Sequence, residues 1–166
     1  MARTLMIQGT GSHVGKSVLV TALCRVFRRR GRSVAPFKAQ NMSNNSFVTP
    51  DGREIGRAQA VQAAACSLEP RADFNPVLIK PSDQRHAQVV VNGRVAGTLT
   101  ASEFGRVKRE YAATVRAAFT RLRSEFDLII IEGAGSPAEI NLRQHDIANM
   151  FMARYAHAPV LLVGDI

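Results

Sequence analysis

Apolar residues occur along this chain in two patterns. Thr4–Gln8, Asp127–Ile131 and Pro159–Val163 are short, nearly unbroken apolar runs, the kind found in strands covered on both faces of a parallel sheet. Elsewhere apolar positions recur every three or four residues. Ser17–Arg30 sets Leu19, Leu23, Val26 and Phe27 on one helical face, and Gly31 ends the helix. Ser102–Glu125 carries Phe104, Val107, Tyr111, Val115, Phe119 and Leu122, the stripe of a long amphipathic helix. Shorter elements are a strand at Ser33–Phe37, an alanine-rich helix at Glu54–Cys66, strands at Val77–Ile79 and Gln88–Val91 with a turn at Asn92-Gly93, and a helix at Asp146–Tyr155. Lys38–Arg53 reads as a polar loop. Strands alternating with helices predict an α/β fold with a mostly parallel, doubly wound sheet. Right-handed crossovers would gather its ligand-binding loops along one edge.

Composition narrows this little. With 166 residues, 46% hydrophobic and 21% charged, the chain is expected to form one soluble domain. No apolar run nears the roughly 20 residues that cross a bilayer, and no signal-peptide pattern opens the chain. The expectation is a cytoplasmic protein without a membrane partner. The net charge is +9, part of it in Arg25, Arg28, Arg29, Arg30 and Arg32. No aromatic residues interleave with these arginines, so a solvated helix end is preferred over a nucleic-acid surface. Positive charge also suits a polyanionic small substrate. Cys24, Cys66 and the histidines His13, His86, His145 and His157 match no zinc or redox spacing. Cys24 reads as a core residue. The chain stops at Val163-Gly164-Asp165-Ile166, where a core strand meets its loop. This predicts one domain over 1–166 whose sheet continues in residues not given.

The candidate chemistry begins after the first strand, at Gly9-Thr-Gly-Ser-His-Val-Gly-Lys16-Ser17. Strand, glycines and Lys-Ser opening a helix make a phosphate-binding loop of the P-loop NTPase-like kind. Its backbone N–H groups and helix N-terminus cradle phosphates. Thr10, Gly11, Ser12, His13, Val14, Gly15, Lys16 and Ser17 are the expected nucleotide-binding residues, with Lys16 on the outer phosphates and the Ser17 hydroxyl on magnesium. The spacing is a variant, because the standard loop needs glycine where Thr10 stands. A dinucleotide fingerprint fits worse. Val14 occupies the place of its third glycine, and Phe37-Lys38 ends the second strand where an acid is required. Ile129-Ile-Ile-Glu132-Gly-Ala-Gly135 places a carboxylate at the tip of an apolar strand. Phosphate-loop proteins hold magnesium opposite the loop with such an acid, so Glu132 joins Ser17 as a candidate metal residue. Lys38, expected to end a strand beside the loop, completes the catalytic candidates with Lys16 and Glu132.

Several blocks together resemble the cobyric acid synthase family. They are Gly9–Ser17, Ala35–Ser43, Glu54–Ala60, Asn75–Pro81 and Ile131–Arg143. The loop length is more distantly similar to that of dethiobiotin synthetase and CTP synthase. The resemblance implies the ATP-binding synthetase part of a glutamine-dependent enzyme of cobalamin biosynthesis, with ATP and magnesium as cofactors. Such enzymes phosphorylate corrin side-chain carboxylates and displace the phosphate with ammonia from glutamine. It further implies Gln40, Asn41, Asn45, Asn141 and Arg143 on the substrate side, and Asp146 toward substrate or metal. His13 departs from the family, which usually has an acidic residue there. The glutaminase domain that supplies ammonia lies outside these residues. Self-association into a homo-oligomer stays open. Two other classes share the variant loop: partitioning-type switch ATPases, which carry an early lysine where Gly11 stands, and ligases that activate other carboxylates.

Overall fold

The structure is a computed structural model. It describes residues 2–83, 85–136 and 146–164, without the side chains at 101, 104–106, 108 and 109. Its elements are β1 (Arg3–Gly9), α1 (Lys16–Arg29), β2 (Val34–Phe37), β3 (Gln40–Met42), β4 (Ser46–Val48), β5 (Glu54–Gly56), α2 (Arg57–Ala65), a 3-10 turn at Ala72–Phe74, β6 (Val77–Pro81), β7 (His86–Val91), β8 (Arg94–Thr100), α3 (Ala101–Glu125), β9 (Leu128–Glu132), α4 (Met150–Ala156) and β10 (Val160–Val163). The apolar runs become a parallel sheet in the order β10-β1-β9-β2. Because alternate strand residues face opposite ways, each run feeds two cores. Ile7, Val34 and Ile130 meet Val20 and Cys24 of α1, and Cys66 at the end of α2. Met6, Phe37, Ile129 and Ile131 meet Val115, Phe119 and Leu122 of α3 and Met152 of α4. Helices on both faces make the sheet doubly wound, as expected.

Each such side chain, fully buried, contributes about 1.5–3 kcal/mol. Phe119 adds directional contacts, lying edge-on to Phe37 at 5.2 Å and to Tyr155 at 5.9 Å between ring centroids. The start of α3 is set by a capping box, in which Thr100 accepts from the Glu103 amide and Glu103 accepts from the Thr100 amide. Cys24 and Cys66, far apart in sequence, meet between α1 and α2. Their hydrogen bond, together with burial, pushes the Cys24 thiol well above its ordinary range. The arginines at the end of α1 are exposed. Among the described residues, no helix is long and apolar enough to cross a membrane.

The polar stretch differs from the expected loop. Gln40–Met42 is a strand parallel to β6, which continues antiparallel through β7 and β8 as a second sheet. Glu54–Gly56, expected to begin a helix, pairs instead with β4 as a hairpin. The reason is local: Gly56 is extended and its amide donates to the Asn75 side chain, so α2 starts only at Arg57. β8 was not anticipated, since Gly97 interrupts it and its residues are largely exposed. The Asn92-Gly93 turn that joins it to β7 was legible.

Candidate functional site

The carboxyl edge of the parallel sheet brings three chain segments together. Register pairs Ile7 with Glu132 and Phe37 with Ile131, so Lys38 emerges beside Glu132 and the loop after β1 opens on the other side. The sequence placed β2 next to the loop's own strand, but β9 lies between them. Lys38 therefore meets the loop through Glu132. Its ammonium is 2.6 Å from Glu132 Oε1.

The loop itself explains its glycines. Gly15 caps α1 at φ 97°, in the left-handed region that favours glycine. A Cβ on Gly9 would lie 2.5 Å from Val14 Cγ2 and 3.0 Å from the Lys16 side chain, so the loop folds back onto bare backbone. His13 also adopts a positive φ, 68°. Thr10, Ser12, His13 and Gly15 are exposed, Gly11 and Val14 half-buried, and Lys16 buried. The Lys16 ammonium donates to the carbonyls of Gly11 at 2.5 Å and Gly135 at 3.1 Å, spanning the gap between the loop and the turn after β9. Burial holds the Lys16 pKa below the ordinary lysine value. Neighbouring Lys38 adds to this, and Glu132 opposes it.

Glu132 is fully buried. Its Oε1 accepts from Ser17 Oγ at 2.8 Å and from Lys38 Nζ. Its Oε2 accepts from Gln62 Nε2 at 2.6 Å and from Gln59 Nε2 at 3.5 Å. A buried carboxylate needs such partners. Ser17 Oγ and Glu132 Oε1, adjacent hard oxygen donors beside a phosphate-type loop, suit magnesium, which takes few protein ligands and keeps phosphate oxygens and water.

On the second sheet, Asn41 is buried and its Nδ2 donates to Gln59 Oε1 at 2.9 Å. Gln40 Oε1 is buried with no partner among the described residues. Asn45 is exposed and accepts from Arg57 through both its side chain and its carbonyl. Asp146 receives the amides of Ala148, Asn149 and Phe151, so its carboxylate fixes the entry to α4. Asn141 and Arg143 lie outside the described residues, as does Asp165. The structure thus brings Lys16, Ser17, Lys38 and Glu132 into one cluster, reaches Asn41 through Gln59, and leaves Asn45 and Asp146 with local partners.

Sequence reasoning missed Gln59, Gln62, Asn75 and Asn149. Asn75 donates to the Lys38 carbonyl and accepts from Gly56. Asn149 exchanges hydrogen bonds with the backbone of Ala134, pinning the turn after Glu132. The usable signal was the spacing of Gln59 and Gln62, three apart in a helix otherwise rich in alanine, which puts both amides on one face.

A family profile described as the CobQ/CobB/MinD/ParA nucleotide binding domain matches residues 5–163. The chain belongs to that family. Among curated relatives of this nucleotide binding domain, the cobyric acid synthase of Rhizorhabdus wittichii is 61% identical over 162 residues, covering 98% of this chain and 33% of the relative. That of Hyphomonas neptunium is 60% identical over 165 residues, covering 99% and 33%. That of Dehalococcoides mccartyi is 56% identical over 166 residues, covering 100% and 33%. The chain spans about a third of the length of these relatives.

Proposed function

We propose that this domain binds ATP and magnesium and activates corrin side-chain carboxylates for amidation, as the ATP-binding part of a cobyric acid synthase. The observation that carries the reading is Glu132. It is fully buried at the tip of β9, with Ser17 of the phosphate loop and Lys38 both on its Oε1. The resemblance to cobyric acid synthases across the whole chain supports the substrate class.

The chemistry asks for positioning and charge neutralisation more than for a protein nucleophile. Loop amides and Lys16 hold the phosphates. Ser17 and Glu132 would hold magnesium, which would supply neutralisation of phosphate charge. Lys38, against Glu132, would lend positive charge to the transferring group. A substrate carboxylate oxygen attacks the γ-phosphorus as the bond to the ADP oxygen breaks, giving an acyl phosphate and ADP. Ammonia from glutamine hydrolysis then attacks the acyl carbon. Phosphate leaves with the former carboxylate oxygen, the nitrogen gives up a proton, and an amide remains. The substrate side is drawn from Gln40, Asn41, Asn45, Asn141 and Arg143, with Asp146 near it. The substrate is adenosylcobyrinic acid a,c-diamide, amidated at four side chains.

A second reading, a partitioning-type switch ATPase, has one point in its favour, since the family description spans MinD and ParA. Against it, Gly11 stands where that class carries its early lysine. The test uses the full-length protein with ATP, magnesium, glutamine and the corrin diamide, following product mass. Stepwise replacement of carboxylate by amide is expected. No mass change, with ATP turnover stimulated by DNA or dimerisation, would favour the switch.

A further inference from the structure

We propose that Gln62, assisted by Gln59, is a positioning residue: it anchors one oxygen of Glu132 so that the carboxylate keeps its aim when the other oxygen changes partners. The inference rests on the reading of Ser17 and Glu132 as the magnesium side of the site.

A carboxylate turns about its last bond unless both oxygens are held. Oε1 is held by Ser17 Oγ and Lys38 Nζ. Under the proposed function these are the groups that turn away, the hydroxyl toward magnesium and the ammonium toward phosphate. Among the described residues, Oε2 is held from α2 alone, by Gln62 Nε2 at 2.6 Å and Gln59 Nε2 at 3.5 Å. Both glutamines are wholly buried. Oε2 therefore stays anchored while Oε1 exchanges.

Two observations argue that these amides are not mere filling. Gln62 Oε1 is buried without a partner among the described residues, and an unmet acceptor is costly. The amide cannot be reversed to relieve it, because its oxygen would then face the carboxylate. A residue serving only to pack would do so better as an apolar side chain, as the neighbouring alanines do. The second observation is the wiring of Gln59. Its Oε1 accepts from Asn41 Nδ2 at 2.9 Å, so its own orientation is set from β3. Gly56 leaves room for that bond. A Cβ there would collide with Asn41 Nδ2 and lie 2.7 Å from Gln59 Oε1.

The experiment uses full-length protein carrying Gln62→Met, which keeps the length and removes the donor. ATP affinity is measured without magnesium. Thermal stabilisation of the ATP-bound protein is then titrated with magnesium, and kcat is measured at saturating metal. Second-sphere changes of this kind weaken metal binding or activity by about 10–100-fold. The expected result is unchanged magnesium-free ATP affinity, with the half-saturating magnesium raised about tenfold. Gln59→Met should shift it less, in the same direction. An unchanged magnesium half-point overturns the proposal. So does loss of cooperative unfolding or of magnesium-free ATP binding, because Gln62 would then be a packing residue. The underlying reading fails separately, if Lys16→Ala leaves ATP binding intact whatever Gln62→Met does.

Discussion

The polar network has two ends, and they are built differently. At the phosphate end, Glu132 is fully buried and both its oxygens are engaged by side chains from α1, α2 and the end of β2. At the other end, Asn44 and Asn45 are exposed, Asn45 is tied to Arg57, and Gln40 Oε1 has no partner among the described residues. The first end is preorganised in its carboxylate, which is already aimed when charge arrives, so that only the partners of Oε1 exchange. The second carries amides that the proposed function assigns to the substrate. Substitutions at the first end should therefore act steeply, and those at the second mildly unless the carboxylate substrate is present.

Glu132→Gln should show the steepest effect. It removes the charge between Ser17 and Lys38, and turnover in the full-length enzyme should fall about 10²–10³-fold. A smaller loss than tenfold would mean the preorganised end is not where charge is neutralised. Lys16→Ala comes next. Nucleotide at about 100 times its Kd stabilises a domain by about 2.7 kcal/mol, and this variant should lose that thermal shift entirely. Gly9→Ala crowds Val14, and strain of about 1–3 kcal/mol should weaken nucleotide binding roughly tenfold, read by calorimetry.

Acidity gives a milder handle on the same end. Lys16 has its pKa lowered chiefly by burial. Between that lowered value and the ordinary 10.5, the unfolded chain binds more protons than the folded one. Lys16's contribution to the stability of the free protein therefore improves as pH rises through this window. Phosphate needs the charged lysine, so nucleotide affinity should fall as pH rises through the same window, by at most about tenfold per unit. The Lys16→Ala protein should lack this slope. At the second end, Asn45→Ala should change nucleotide affinity by less than about twofold and stability by about 0.5 kcal/mol or less. A large nucleotide effect there would erase the contrast between the two ends.

The parallel sheet was legible because its strands are buried on both faces and so write their burial into consecutive letters, as Ile129-Ile130-Ile131 does. The phosphate loop and the Glu132 tip were legible because both follow such strands. The small strands β3, β4 and β5 were not. They are held by backbone pairing, and each is only three residues long with polar and apolar side chains mixed, so no apolar rhythm marks them. Strand order was equally hidden: Lys38 stands out in the sequence, but its partner Glu132 comes from a strand about 90 residues later that the fold inserts beside it. The α2 glutamines escaped because alanines on every side blur which face is inward, and their purpose lies in a carboxylate remote in sequence.

Under the proposed function, the buried carboxylate, the loop and Lys38 serve to phosphorylate a substrate carboxylate. The most direct measurement labels the corrin carboxylates with oxygen-18 and follows that label through amide formation by the full-length protein. Activation through an acyl phosphate delivers one labelled oxygen to inorganic phosphate for every amide formed. Unlabelled phosphate alongside amide product would contradict it.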